Sequence, residues 1–468
     1  MNIHFKNITK KALCIIISGQ CLFFLIIAFL HMTYPYDLTY NEGYNLARAR
    51  MVLDGKPYPN PELSPFIPNL YPPVYFILSG FLVLFFGIAL FPLRLISIVS
   101  CLIILFFLYK IIKKTNGNTL VAALFITNPL AVMYFVAIPD YLAIMFSLVG
   151  LYLFFIGKPN YVYIPFFVLA FFTKQNAVIG FCAVMLYLLL KCKIKEFAVN
   201  ALFFSVILAL IIYYLSYITK GEFLQQVFLN TLEQQKSLSQ YLFFIAFVFA
   251  LFYPFFIAAN NSVRKPKTLF SIYFFLSILS ALFFLSKRGS DMNYFFEPII
   301  ATVIMSAQTK ENKGFLFYSI ATVFITLFLF TSINHPLFVP VSSIRETDNA
   351  LSTIIQKKEG DMIIIGKAGL VQMNNKTPIY EEFEMGERFN SGKWDAKEFD
   401  CSRLSVVAYK KNASAFRGMF NPLNLVYDRI KEFHLIKPIE ECISSFDKKT
   451  VGNYLVYEKR DIDNYILA

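Results

Sequence analysis

Residues Ala12–His31 read ALCIIISGQCLFFLIIAFLH, a run of twenty positions with no acid, lysine or arginine. At about 1.5 Å per residue a helix of that length reaches about 30 Å, the thickness of a bilayer's hydrocarbon core. Lys6, Lys10 and Lys11 precede it, and no small-residue cleavage site follows a short apolar core. The run therefore reads as a retained membrane helix rather than a signal peptide. Its positive flank belongs on the cytoplasmic side, which puts the loop after it, residues 32–73, outside.

The rest of the chain repeats the pattern. Of 468 residues 57% are hydrophobic and 16% charged, with 54 phenylalanines and a mean hydropathy of +0.57. Soluble domains carry about a quarter charged residues, so a polytopic α-helical membrane protein of about eleven segments is expected. The further apolar segments are Val74–Leu90, Leu93–Ile112, Leu120–Ile138, Tyr141–Ile156, Tyr161–Leu190, Ala198–Ile218, Tyr241–Ala259, Leu269–Leu285, Tyr294–Ala307 and Phe315–Ile333. Basic clusters at Lys191, Lys193 and Lys195, at Arg264, Lys265 and Lys267, and at Lys310 and Lys313 mark cytoplasmic turns. Two full crossings over Val74–Leu90 and Leu93–Ile112 would strand Lys110, Lys113 and Lys114 outside. One crossing plus an interfacial or broken piece around Pro92 keeps them inside. Tyr161–Leu190 then becomes two short helices, with Thr173-Lys174-Gln175-Asn176 at their outer turn.

Residues 341–468 change character. DMIIIG (361–366), LSVVAY (404–409) and YLVYE (454–458) read as strands, and Asn424–His434 as an amphipathic helix. The expected division is a membrane part, 1–340, and a small extracytoplasmic α/β domain, 341–468. Cys401 and Cys442 lie in that domain and either pair or stay free thiols; the other five cysteines show no metal-binding spacing.

Charge sharpens this division. The C-terminal region holds 19 basic and 19 acidic residues, so the whole net +13 belongs to residues 1–340. There it orients helices, and nucleic acid is not an expected partner. Only eleven acids occur in those 340 residues, and nine of them fall outside: Asp37, Glu42, Asp54, Glu62, Asp140, Glu222, Glu233, Asp291 and Glu297. Positive-inside bias concerns lysine and arginine and does not predict where acids gather. Outer segments beside helix ends are where a membrane enzyme would hold a general base.

Four groupings stand out. The first loop runs Tyr34-Pro-Tyr-Asp37-Leu-Thr-Tyr-Asn-Glu42-Gly-Tyr-Asn-Leu-Ala-Arg48-Ala-Arg50 and ends in Tyr71-Pro-Pro-Val-Tyr75. It reads equally as a catalytic loop or as an amphipathic interfacial helix with acids facing water. Asp140 after Pro139 either acts chemically or stabilises a helix N-terminus. Lys174-Gln175-Asn176, between two apolar halves, is a functional site or a snorkelling lysine. In Lys287-Arg288-Gly-Ser290-Asp291-Met-Asn293-Tyr294-Phe-Phe-Glu297, Asn293 and Glu297 share one helix face, and the basic pair suits a phosphate or merely a solvated loop.

In the order of these pieces the chain resembles the GT-C-fold glycosyltransferases, in particular bacterial relatives of protein O-mannosyltransferases and the lipid A aminoarabinose transferase. The resembling pieces are Glu42-Gly-Tyr through Tyr58, Tyr71-Pro-Pro-Val-Tyr75, Pro139-Asp140, Thr173-Lys174-Gln175 and Gly289 to Tyr294. The resemblance implies an inverting enzyme of the bacterial inner membrane that moves a sugar from a polyprenyl-phosphate carrier to a glycan, lipid or protein hydroxyl. It makes Glu42 the first-loop catalytic acid, with Asp37 as its rival, and Asp140 the second acidic site. A divalent cation between Glu42 and Asp140 is a further expectation by analogy. The Glu-Lys pair that aminoarabinose transferases carry before Pro-Pro is replaced by Leu70-Tyr71. Lipid phosphate must then be met elsewhere, by Arg48, Lys174, Lys287 or Arg288, with Gln175, Asn293 and Glu297 beside them. A lipid or polysaccharide transporter would instead show an inverted repeat, and none is legible. A non-catalytic envelope scaffold would tolerate loss of both Glu42 and Asp140.

Overall fold

A computed structural model describes residues 2–60, 67–127, 135–229, 268–285, 292–308, 342–364, 367–376, 403–410, 446–451 and 454–458, with a few isolated positions between them. Helix α1 (Asn2–Thr33) joins the N-terminal lysines and the first apolar run in one 32-residue rod. Helix α2 (Tyr40–Leu53) follows a short turn and carries Glu42 and Arg48. Helix α3 (Val74–Phe86) spans only 13 residues, about 20 Å. It stops at Gly87, whose φ of +81° suits glycine, and α4 (Phe91–Lys114) starts anew. The interruption expected around Pro92 thus lies at Gly87–Leu90, while Pro92 sits in the first turn of α4, where its missing N–H breaks no bond.

The segment Leu120–Ile138 departs from expectation. It opens with a 3₁₀ turn, Thr119–Ala123, and a single helical turn, Leu124–Thr127; residues 135–139 are not regular helix. There the backbone groups bond to side chains of other elements. The Val136 carbonyl accepts from Ser97, the Ala137 carbonyl accepts from Asn45, and the Ala137 N–H donates to Glu42. Those outside partners stand in for helical ones.

Helices α5 (Asp140–Phe155), α6 (Asn160–Thr173), α7 (Ile179–Leu190), α8 (Ile194–Ile218), α9 (Leu269–Phe284) and α10 (Phe296–Ser306) complete the described bundle. The α6–α7 turn falls at Lys174–Val178, so Tyr161–Leu190 forms two helices. One continuous apolar core runs through the bundle. Among the described residues, α4 and α8 are long and apolar enough to cross a membrane. Along α8 the side chains of Leu202, Val206, Leu210, Tyr213 and Tyr217 are exposed, a surface suited to lipid rather than water. The expected segments at 241–259 and 315–333 fall outside the described residues, apart from isolated positions.

The C-terminal region supplies α11 (Ser342–Lys357), β1 (Asp361–Ile364), α12 (Ala368–Met373), β2 (Leu404–Lys410), β3 (Asp447–Val451) and β4 (Tyr454–Glu458). The strands form one sheet in the order β1-β2-β4-β3, with β1 parallel to β2 and the other pairs antiparallel. The parallel pair needs a crossover, and α12 lies within it. Leu351, Ile355, Met362, Ile364, Leu370, Val406, Ala408 and Val456 form a separate small core. The helix expected at 424–434, Trp394, Cys401 and Cys442 lie outside the described residues.

Candidate functional site

Glu42 occupies the first turn of α2, and Arg94 the first turn of α4; both are completely buried. Arg94 Nε donates to Glu42 Oε1 at 2.8 Å and Nη2 to Oε2 at 2.6 Å. The other guanidinium bonds go to the carbonyls of His31, Tyr34 and Tyr36, so each of its five donors has a partner. Glu42 also accepts from the Leu38 N–H at 2.7 Å and the Ala137 N–H at 2.9 Å. Burial by itself would raise the Glu42 carboxyl, but the Arg94 guanidinium and these two N–H groups hold it below the usual range. All four acceptor positions of the carboxylate are filled. None remains for a metal, and the cation expected between Glu42 and Asp140 does not fit the groups present. Among the described residues no cluster of three or more metal-ligating side chains occurs either.

Arg94 was not singled out in the sequence, although a lone arginine at the head of an apolar segment is a recognisable signal for a buried partner. Its pairing with Glu42 fastens α4 to α2, and its bond to the His31 carbonyl fastens α4 to the end of α1.

Asp37 faces the C-terminal region. Its two carboxylate oxygens accept from the backbone N–H groups of Gly369 at 3.0 Å and Leu370 at 3.1 Å, in the first turn of α12. Lys367 Nζ donates to the Asp37 carbonyl at 3.3 Å and pairs with Asp348 at 2.8 Å. Tyr34 donates to Asp348 as well, Tyr36 to Asn349, and Arg50 to Gln372. Burial pushes the Asp37 carboxyl up to about 7, against the pull of Lys367 and with help from the Glu42 charge. Gly43 explains how close the elements come: a Cβ there would lie 1.9 Å from the Gly369 nitrogen.

A third group forms where the 67–73 strand of loop, α5, α6 and the start of α10 meet. Asp140 opens α5, Lys174 ends α6, and the two pair at 2.6 Å with both side chains 5% exposed. The Lys174 ammonium lies 4.9 Å from the Tyr294 ring centre and 5.7 Å from that of Tyr71, within cation–π range. The charges of Lys174, Asp140 and Arg48 all act on the Tyr71 hydroxyl, which burial pushes up to about 12. Arg48 is 4% exposed. Its Nε donates to the Pro68 carbonyl at 2.9 Å and Nη1 to Asn45 at 3.3 Å, and among the described residues it has no carboxylate partner. Among the described residues three of its five N–H donors meet no acceptor. Gln175 Nε2 reaches the carbonyls of Leu70 and Val227 at 3.2 and 3.3 Å. The latter belongs to a π turn, Gln225–Leu229, the kind of local irregularity that frees a carbonyl.

Glu297, on the first turn of α10, lies beside this group rather than in it. Tyr141 and Phe296, with ring centres 4.9 Å apart and planes tilted by 31°, join the starts of α5 and α10. Glu297 accepts from Tyr273 and Ser147, two residues inside apolar runs that carry no signal in the sequence pattern. Asn293 sits in the 3₁₀ turn just before α10. Lys287, Arg288 and Asp291 lie outside the described residues.

Over nearly its whole length the chain has the architecture of a known membrane enzyme. It aligns with ArnT from Cupriavidus metallidurans bound to undecaprenyl phosphate at a TM-score of 0.58 and 11% identity, over 95% of this chain and 99% of that one. The apo state of the same protein gives a TM-score of 0.58 and 12% identity, over 94% and 98%. No family model and no curated protein sequence matches the chain. The fold is therefore the GT-C fold of the aminoarabinose transferase ArnT. At this identity the likeness speaks for the fold, and residue roles rest on the geometry above.

Proposed function

We propose that the chain is a membrane glycosyltransferase that takes a sugar from a polyprenyl-phosphate carrier and passes it to an acceptor hydroxyl of a glycan, lipid or protein. The observation that carries this reading is Arg48, a buried guanidinium with three open donors and no carboxylate partner among the described residues. A buried cation without a counter-charge is costly, and a phosphate arriving from the membrane would supply one. Lys174 stands in the same neighbourhood. The fold supports the reading, since ArnT was solved with undecaprenyl phosphate. In this reading the site faces the extracytoplasmic side of a bacterial inner membrane.

Asp140 is the general base in this proposal. While the site waits, its charge is held by Lys174. When the carrier phosphate binds, the ammonium gains a second anion, and the Asp140 carboxylate is freed to accept a proton. The acceptor oxygen gives that proton to Asp140 and bonds to the anomeric carbon as the bond from that carbon to the phosphate oxygen breaks. The anomeric centre inverts, and polyprenyl phosphate leaves with its charge met by Arg48 and Lys174. Such a base is worth roughly 10²–10⁴-fold. Glu42 braces the site through Arg94 in this scheme, and Asp37 fastens the C-terminal region above it.

The test uses purified full-length protein. Wild type should bind undecaprenyl phosphate, and Arg48→Ala should weaken binding about 10–100-fold, the worth of charge-assisted hydrogen bonds. With undecaprenyl-phosphate-linked hexoses and envelope extract as acceptor, wild type should release undecaprenyl phosphate and Asp140→Asn should not. A wild-type protein that binds no polyprenyl phosphate would sink the reading.

A further inference from the structure

Three helices, α5, α9 and α10, converge on the Glu297 carboxyl group, with α7 packed behind one of its partners. The Tyr273 hydroxyl of α9 donates to Oε1 at 3.1 Å, and the Ser147 hydroxyl of α5 donates to the same oxygen at 3.5 Å. Gly180 of α7 presses on that serine, for a Cβ there would lie 2.3 Å from Ser147 Oγ. The second oxygen, Oε2, accepts no hydrogen bond among the described residues. Glu297 keeps 6% of its surface open. No lysine or arginine among the described residues comes within ion-pair distance.

Packing offers no reason to keep a carboxylate here. Phe296, Ile299, Ile300 and Ala301 around it are buried and apolar, and an unpaired acid among such neighbours is costly unless it serves a ligand. Two further acceptors are buried and unpartnered among the described residues: Gln175 Oε1, beside Lys174, and Asn293 Oδ1, beside the Tyr294 ring that Lys174 meets at 4.9 Å. The orientation of Gln175 is fixed, because its nitrogen must face the two carbonyls it reaches. Asn293 lies four residues before Glu297 on the turn that enters α10.

The open groups thus sort by chemistry. Around Arg48 they are donors, suited to phosphate. Around Glu297 they are acceptors, suited to hydroxyl groups. Ser147 follows Asp140 by seven residues, nearly two turns of one helix face and about 10 Å along its axis. We propose that Glu297, with Gln175 and Asn293, is the subsite that recognises the hydroxyl groups of the donor's sugar, and that this sugar is neutral and polyhydroxylated. Adjacent hydroxyls donate to Oε2 and to the amide oxygens, while Tyr273 and Ser147 hold Oε1 in place. The proposal rests on the glycosyltransferase reading and adds where the sugar is read.

The experiment compares binding of bare undecaprenyl phosphate with undecaprenyl-phosphate-linked glucose, mannose and galactose to the full-length protein. Wild type should prefer at least one sugar-bearing lipid over the bare one. Glu297→Gln should cut that preference about 10–100-fold, as expected for losing hydrogen bonds to a charged acceptor. Its affinity for the bare lipid should stay unchanged, which also shows that the variant is folded. Glu297→Ala should behave alike. Variants that keep the wild-type preference would overturn the subsite alone, as would a wild type that binds every lipid equally. A wild type that binds none of the lipids would overturn the glycosyltransferase reading with it.

Discussion

At the scale of single residues, Glu42→Gln puts an amide nitrogen among donors. Arg94 and the Leu38 and Ala137 N–H groups all point at the present carboxylate, and an amide cannot accept from all of them. Breaking a buried ion pair from one side costs roughly 3–5 kcal/mol. The variant should therefore melt lower in detergent and accumulate poorly in membranes, which thermal unfolding and membrane yield would measure. An unaltered melting temperature with lost activity would instead return Glu42 to the chemistry. The acids of the first loop were legible in the sequence as a special group, because acids are so scarce in residues 1–340. Their partners were not, since Arg94 is 52 residues away and Gly369 is 332 away from the carboxylates they meet. Hydropathy reports what a segment buries and says nothing about which charge waits across the bundle.

Among elements, the contact between α2 and α12 depends on two missing side chains. A Cβ on Gly43 would meet backbone of α12, and one on Gly369 would lie 2.6 Å from Asp37 Oδ1. Backbone cannot swing aside as a flexible side chain can. Gly43→Ala should separate the two elements and raise hydrogen exchange at Gly369 and Leu370, while exchange along α4 and α8 stays as in wild type. Equal protection in the variant would show that the two elements leave room for a methyl group at this contact. Most bundle helices could be placed from apolar length, and the chain does divide between α3 and α4, at Gly87–Leu90. Leu120–Ile138 misled because composition cannot distinguish a helix from a buried irregular segment whose carbonyls bond to Ser97 and Asn45. Strand β3 escaped for the opposite reason. DKKTV lacks apolar alternation, and it serves as an edge strand whose exposed charges discourage further pairing.

For the whole molecule, Asp37 makes the attachment of the C-terminal region sensitive to pH. Detached, its carboxyl would titrate near its ordinary value of 3.8; attached, it titrates at about 7. Between those values the attached form holds more protons, so attachment weakens as pH rises from about 4 to about 7 and is level above and below. Limited proteolysis of residues 342–468 across that range should show the trend, and Asp37→Asn should flatten it. An unchanged slope in the variant would place the titrating group elsewhere. This coupling could not be read from the sequence, where residues 1–340 and 341–468 look like separate bodies.

The attachment also has a consequence for how the protein is made. Asp37 leaves the ribosome 332 residues ahead of Gly369. At roughly 5–20 residues per second that gap lasts about 17–66 s. Throughout it, the bare Gly43 ridge and the carboxylate beside it have no partner from their own chain. Correct biogenesis thus requires the nascent first loop to be kept from competing contacts until the last quarter of the polypeptide arrives.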